Sequence, residues 1–238
     1  MEKVTKISID GFNNPIFFRE NTTDLNCLIE VIEKADYRHI PLGFDVEEGE
    51  EWLDLGGNIG AFALYAHKNG AKKVTSYEPD KDNYRILKLN ISKIDGYEAV
   101  NSAITIEKKD SLEFFSGKKD TDRYRYSHLA SGRSIGKINN KYGEFLRELC
   151  CDGVKMDIEG SELGLIDKKF IPKCNKLVME YHLTRDKSLK NLSRRLDILR
   201  DHFDNVYIIP SLQKLIDSGM EDYPGFFDRV IRCWNNKD

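Results

Sequence analysis

The segment Asp54-Leu55-Gly56-Gly57-Asn58-Ile59-Gly60 joins a short apolar run, 51–55, to a helical pattern, 59–69, and restricts the fold more than any other feature of the chain. Glycines let the backbone turn tightly and adopt φ values that a Cβ opposes. A buried strand that turns at once into a helix opens a parallel β-α-β unit, which predicts an α/β sheet rather than a bundle or a sandwich. Phe62, Leu64, Tyr65 and Ala66 supply the helix with apolar faces, and Gly70 is placed to cap its end. Its N-terminus offers unpaired N–H groups, so a polar ligand is expected at the turn.

The pattern then repeats. Strands are expected at 73–77, 97–106, 153–157, 176–181, 205–209 and 226–233, and helices at 80–93, 161–170 and 189–202, with a helical stretch at 143–149. Asp80 and Ser161 are the expected N-caps, and Tyr84, Leu87, Leu89 and Ile91 are the residues available to pack the second helix on the sheet. Residues 112–115 read as part of a hairpin beside the third strand. Residues 116–140 are polar, basic and irregular, a length that points to a lid over the acceptor or to a solvated loop. Upstream, Arg19 to Asp24 and Tyr37 are expected in an N-terminal helix layer over the cofactor. The whole reads as one domain, with 1–50 as a cover and 51–238 as the core.

Length and charge narrow the function. At 238 residues the chain holds one sizeable core, and its net charge of -3, with basic residues scattered, gives nucleic-acid binding no support. Cys27, Cys150, Cys151, Cys174 and Cys233 lack C-x-x-C spacing, so reduced thiols are expected. Neither a leader nor a membrane-spanning run is visible, which makes a cytoplasmic location the default expectation.

Ligand contacts in such sheets gather at the carboxyl ends of strands, where Glu78 falls. Its carboxylate can accept both hydroxyls of a ribose, although a solvated residue after a strand would look the same. The G-x-G-x-x-G spacing of a dinucleotide site is absent, and Asp54 would repel a pyrophosphate while suiting a cofactor with an amino group and a sulfonium. Asp157 and Glu159 follow the fourth strand, Glu180 and His182 the fifth, so all four should face one crevice. Either Asp157 or His182 is suited to be a general base. Lys155, Asp157 and Glu159 would also serve as a buried ion-pair network, and Asp157, Glu180 and His182 as ligands of a divalent metal, which is not favoured over a metal-free site.

The chain resembles class I methyltransferases and, more narrowly, the FkbM family. The resemblance rests on Leu53 to Gly60, on Tyr77-Glu78-Pro79-Asp80 with Asn83 and Asn90, and above all on Lys155-Met156-Asp157-Ile158-Glu159-Gly160-Ser161-Glu162. Arg19 to Asp24 with Tyr37, Asn101-Ser102-Ala103 and Glu180-Tyr181-His182 extend it. It implies a Rossmann-like fold with a seven-stranded, mostly parallel sheet whose last strand is antiparallel. It also implies S-adenosylmethionine-dependent O-methylation of a hydroxyl on a sugar, such as a deoxyhexose, or on a secondary metabolite. On that resemblance Asp54, Gly56, Gly57, Asn58, Gly60, Glu78, Pro79, Asn101, Ser102 and Ala103 bind the cofactor. Lys155, Asp157, Glu159, Glu180 and His182 are the catalytic candidates, and Arg123, Tyr124, Tyr126 and His128 are the candidates for acceptor contact.

Overall fold

The computed structural model describes residues 3–116, 126–127, 134–225 and 229–236. Its centre is a seven-stranded sheet built from β3 (Glu51–Leu55), β4 (Lys73–Tyr77), β5 (Tyr97–Val100), β10 (Gly153–Met156), β11 (Lys176–Tyr181), β12 (Asn205–Tyr207) and β13 (Arg229–Trp234). The strand order is β12-β13-β11-β10-β3-β4-β5. β13 runs antiparallel to both its neighbours, and the pairings from β11 through β5 are parallel. β13 is therefore a wedge inside the sheet, one place in from the edge.

Helices cover both faces. On one side α2 (Ala61–Lys68) and α3 (Lys81–Ile91) bury Phe62, Leu64, Ile86 and Leu87 against Trp52 and Val74. On the other, α4 (Ser161–Asp167) and α5 (Leu189–Arg200) bury Leu165, Leu192 and Leu196 against Met156, Leu177 and Met179. The end of α2 is closed as expected: Gly70, at φ +83°, donates to the His67 carbonyl, and Ala71 N reaches the Ala66 carbonyl. Asp80 caps α3, accepting from the amides of Asp82 and Asn83 at 3.0 and 2.8 Å.

Several expectations change. Leu89 lies on the outer face of α3, 45% exposed, because the buried stripe runs through Asn83, Ile86, Leu87, Asn90 and Ile91. Ser161 is the first residue of α4, and Gly160 takes the cap position at φ +104°; Glu162 Oε2 accepts from the Gly160 amide instead. The helical stretch at 143–149 is a 3-10 turn, Gly143–Glu148, and α6 (Pro210–Asp217) follows β12 where no helix was expected.

The expected strand at 97–106 is broken. Asn101 donates from Nδ2 to the carbonyls of Glu78 and Pro79, at 2.9 and 3.1 Å, and the chain leaves the main sheet there. It continues as β6 (Ala103–Thr105) in a second sheet of order β6-β9-β7-β8, with β7 (Ser111–Ser116), β8 (Tyr126–Ser127) and β9 (Ser134–Tyr142). The hairpin segment thus pairs with β9, not with the third strand, and residues 134–142 are a strand rather than loop. Polarity hid it. Asn140 occupies an inward position because its amide donates to the carbonyls of Glu107 and Lys109 and its Oδ1 accepts from Thr105.

The N-terminal cover is also different from the helix layer expected. β1 (Val4–Ile7) and β2 (Ile16–Arg19) form an antiparallel hairpin, followed by the short α1 (Asp24–Leu28) and a π turn, Ile29–Glu33. Buried Arg19 binds Asp24 through two nitrogens and reaches Asn83 Oδ1 at 2.6 Å. Asn90 Oδ1 accepts from the Phe17 amide at 2.7 Å, and its Nδ2 donates to Ile59 O at 2.8 Å. These contacts fasten the hairpin to α3 and to the turn before α2.

Candidate active site

A cavity opens at the carboxyl ends of β3, β4 and β10, lined by Gly56, Asn58, Tyr77, Glu78, Pro79, Asn83, Ser102, Ala103, Ile104, Phe114, Asp157, Ile158, Glu159 and Ser161. The turn that shapes it demands its glycine. Gly56 has φ +90°, and a Cβ there would lie 1.8 Å from the Asp157 carbonyl oxygen. Its close approach lets β3 and β10 end side by side. The turn's amides are spent on the protein: Gly56 N and Gly57 N both donate to Tyr77 O at 2.9 Å, and Asn58 N donates to Glu78 Oε2 at 2.7 Å. The turn contributes shape, and Glu78 contributes the polar contact.

Glu78 is held from both ends, its other oxygen accepting from Asp80 N at 2.8 Å. Burial pushes its carboxyl up to about 8, against the pull of the two amides. Ser102 and Asn83 add polar edges beside it, while Ala103, Ile104, Phe114 and Ile158 make an apolar slot. Such a set, an acid for a ribose diol beside a flat apolar slot, fits a nucleoside.

The sequence-derived cofactor residues divide into two groups. Gly56, Asn58, Glu78, Pro79, Ser102 and Ala103 line the cavity. Gly57 and Gly60 pack beneath it against Leu87, and Asn101 pins the carbonyls of Glu78 and Pro79. Asp54 is fully buried, accepting from Ser76 Oγ at 2.8 Å and pairing with Lys155 Nζ at 3.1 Å, so it props the turn from below rather than lining the cavity. Lys155, a catalytic candidate, is 3% exposed and also donates to Gly56 O at 2.5 Å. Burial lowers its pKa, but Asp54 and Asp157 reverse this and raise it, so it stays a cation that ties β10 to β3.

The other candidates do meet. Asp157 lies in the cavity wall, and donor atoms of Asp157, Glu180 and His182 fall within 4.8 Å of one another. His182 is buried; its Nδ1 is 2.7 Å from Glu162 Oε1, and its Nε2 faces Glu159 at 3.4 Å and Asp157 at 3.9 Å. Burial alone would hold the imidazole neutral, yet Glu162, Glu159 and Asp157 outweigh it and raise the pKa to about 12. Beside those carboxylates the ring favours its charged form, while Asp157, which lines the cavity, is placed to meet an acceptor.

Glu162 was outside the candidate list, although it ends the K-x-D-x-E-G-x-E segment three residues after Glu159. It is fully buried and also accepts from His182 N at 3.1 Å. Tyr37 and Cys27 join from the N-terminal cover. Burial raises both their pKa values, Tyr37 with added repulsion from Asp157 and Glu180, so both stay protonated within the field of Asp157. Arg123, Tyr124 and His128 lie outside the described residues, and Tyr126 is on β8.

Comparison with known proteins places the fold. The structure is similar to the putative methyltransferase yhhF from Escherichia coli, with 14% identity, 98% of this chain and 100% of that chain covered and a TM-score of 0.50. It is also similar to M. jannaschii TYW2, solved in complex with AdoMet, with 15% identity, 98% and 86% coverage and a TM-score of 0.51. At such identity the likeness defines a class, the Rossmann-like class I methyltransferase fold. Among the curated proteins compared, none matches the chain. The methyltransferase FkbM domain matches residues 54–207, and the chain belongs to that family.

Proposed function

We propose that the protein is an S-adenosylmethionine-dependent O-methyltransferase acting on a sugar hydroxyl. The observation that carries the reading is Asp157, which is at once part of the nucleoside-shaped cavity and of the Asp157–Glu180–His182 cluster. S-Adenosylmethionine supplies a methyl group on a positively charged sulfur. Glu78 holds the ribose hydroxyls, Ser102 and Asn83 lie at polar edges, and Phe114, Ile104 and Ile158 enclose the base. At the other end Asp157 orients the acceptor hydroxyl and takes its proton as the oxygen gains the methyl.

The charge of the crevice supports a neutral, hydroxyl-rich acceptor. Asp157, Glu159 and Glu180 accept hydrogen bonds from hydroxyls and repel phosphates, and the lysine beside them, Lys155, is already paired with Asp54. Methyl transfer from labelled cofactor to a panel of deoxyhexosides, non-sugar alcohols and RNA tests this. Incorporation into glycosides, with Asp157→Asn slowing turnover about 100-fold or more, is the expected result. Label appearing in RNA and not in glycosides overturns the acceptor class.

A further inference from the structure

The structure assigns a divalent-cation site to Asp157, Glu180 and His182, resting on the methyl-transfer reading above and giving its acceptor pocket a Lewis acid. The three side chains come from the ends of neighbouring strands β10 and β11, and their donor atoms lie within 4.8 Å of one another. A six-coordinate ion with bonds of about 2.1 Å spaces its ligands by about 3 to 4 Å. Side-chain rotations moving each donor by about an ångström close the gap.

The second observation is the histidine. His182 is 1% exposed, and its Nε2 is buried without a hydrogen-bond partner, turned toward the two carboxylates. Its other ring nitrogen is 2.7 Å from Glu162, a carboxylate that is itself fully buried and fixed by the Gly160 amide at 2.9 Å. A carboxylate behind a histidine that presents its far nitrogen to an acidic cluster is the usual support of a metal ligand: it sets the tautomer and raises the basicity of the coordinating nitrogen. A purely structural histidine has no need to be backed on one side and left without a hydrogen bond on the other.

Charge points the same way. Asp157, Glu159 and Glu180 all lie about His182, and Lys155, a cation that acts on Asp157, is engaged by Asp54 and Gly56 O. Two carboxylates and one imidazole suit manganese or another first-row divalent ion, and leave positions open toward the crevice. A cation there lowers the pKa of an adjacent hydroxyl, while the second oxygen of Asp157 remains for the proton.

Manganese titrated into the full-length protein, followed by the electron-paramagnetic signal of free manganese, tests the inference. Binding of S-adenosylhomocysteine is measured by calorimetry on the same samples. We expect one ion per chain, with Glu180→Gln and Asp157→Asn each weakening its binding at least about 10-fold, and with Glu180→Gln still binding the nucleoside. Protein that takes S-adenosylhomocysteine but no manganese overturns the inference and leaves the methyl-transfer reading standing. Manganese bound equally by wild type and both variants overturns it too. One-site binding lost in the variants supports it, even in a sample that fails to bind the nucleoside.

Discussion

Glu78 shows how one side chain can serve both assembly and ligand. Burial holds its carboxyl largely protonated near neutrality, with a pKa of about 8. A carboxylate is the better acceptor for two ribose hydroxyls, so affinity for S-adenosylhomocysteine should rise between pH 7 and 9. Glu78→Gln should flatten that profile and weaken binding by roughly 10- to 100-fold, the loss of a hydrogen bond to a charged group; calorimetry across pH checks both. Stability has the opposite dependence. The folded pKa exceeds the ordinary 4.5, so this group's contribution is full below that value and is lost as the pH rises through about 8.

The same scale shows what the sequence could reveal. Glycine at 56 and acid at 78 were legible because each answers a local demand, a turn and a strand end. The pairing of Asp54 with Lys155 was not legible, because it crosses 101 positions of chain from one parallel strand to its neighbour. No spacing rule reports that. His182 was legible as a member of the crevice, while its charge state depends on Glu162, Glu159 and Asp157 gathering around it in space.

At the scale of elements, the positions of the apolar strands and of the main helices were legible, although Leu89 falls on the outer face of α3 and Gly160 rather than Ser161 caps α4, and polar strands were not legible. Among the described side chains of β9, Ile138 is the large apolar residue that is buried, so the strand's pattern is weak until Asn140 finds the carbonyls that allow it inside. The packing of α5 has a polar counterpart. Arg195, 6% exposed, binds Asp167 through Nε and Nη2, Asp186 at 2.7 Å and the Tyr181 hydroxyl at 2.8 Å, joining α4, α5 and β11. Partial burial raises the pKa of both aspartates, but Arg195 more than reverses it and sets them below the ordinary value. Arg195→Leu should therefore cost about 2 to 3 kcal/mol in urea unfolding at pH 7. The aspartate pKa values are lowered, so the pairs stabilise above the ordinary carboxylate range and lose this on acidification. The gap between wild type and variant should close below about pH 4.

Across the whole molecule, the cavity is a joint product of the main sheet and the β6–β9 sheet, and the N-terminal hairpin is anchored next to its wall. The hairpin's anchor, Arg19 with Asp24 and Asn83, lies beside the cavity wall that contains Asn83. Arg19→Ala leaves a buried Asp24 without its cation, and amide exchange over residues 4–19 should quicken by about 100-fold or more, the equivalent of roughly 3 kcal/mol. Exchange in β10 and β11 should change little, and uniform quickening throughout would show the hairpin to be inseparable from the sheet. The seven-strand layout itself was legible, since its alternating pattern is local. The cover was not, because the amides of Asn83 and Asn90 that hold it carry no period.

The order in which the strands are made sets a constraint on biosynthesis. β11, which bears Glu180, is flanked in the finished sheet by β10 and by a strand made about 50 residues later, at 229–234. Until that last segment is synthesised, β11 is a temporary rim with exposed ladder groups, and β12 has no berth. A nascent chain interrupted before residue 229 would lose the keystone rather than the fringe, exposing a sticky edge to the cell's quality control.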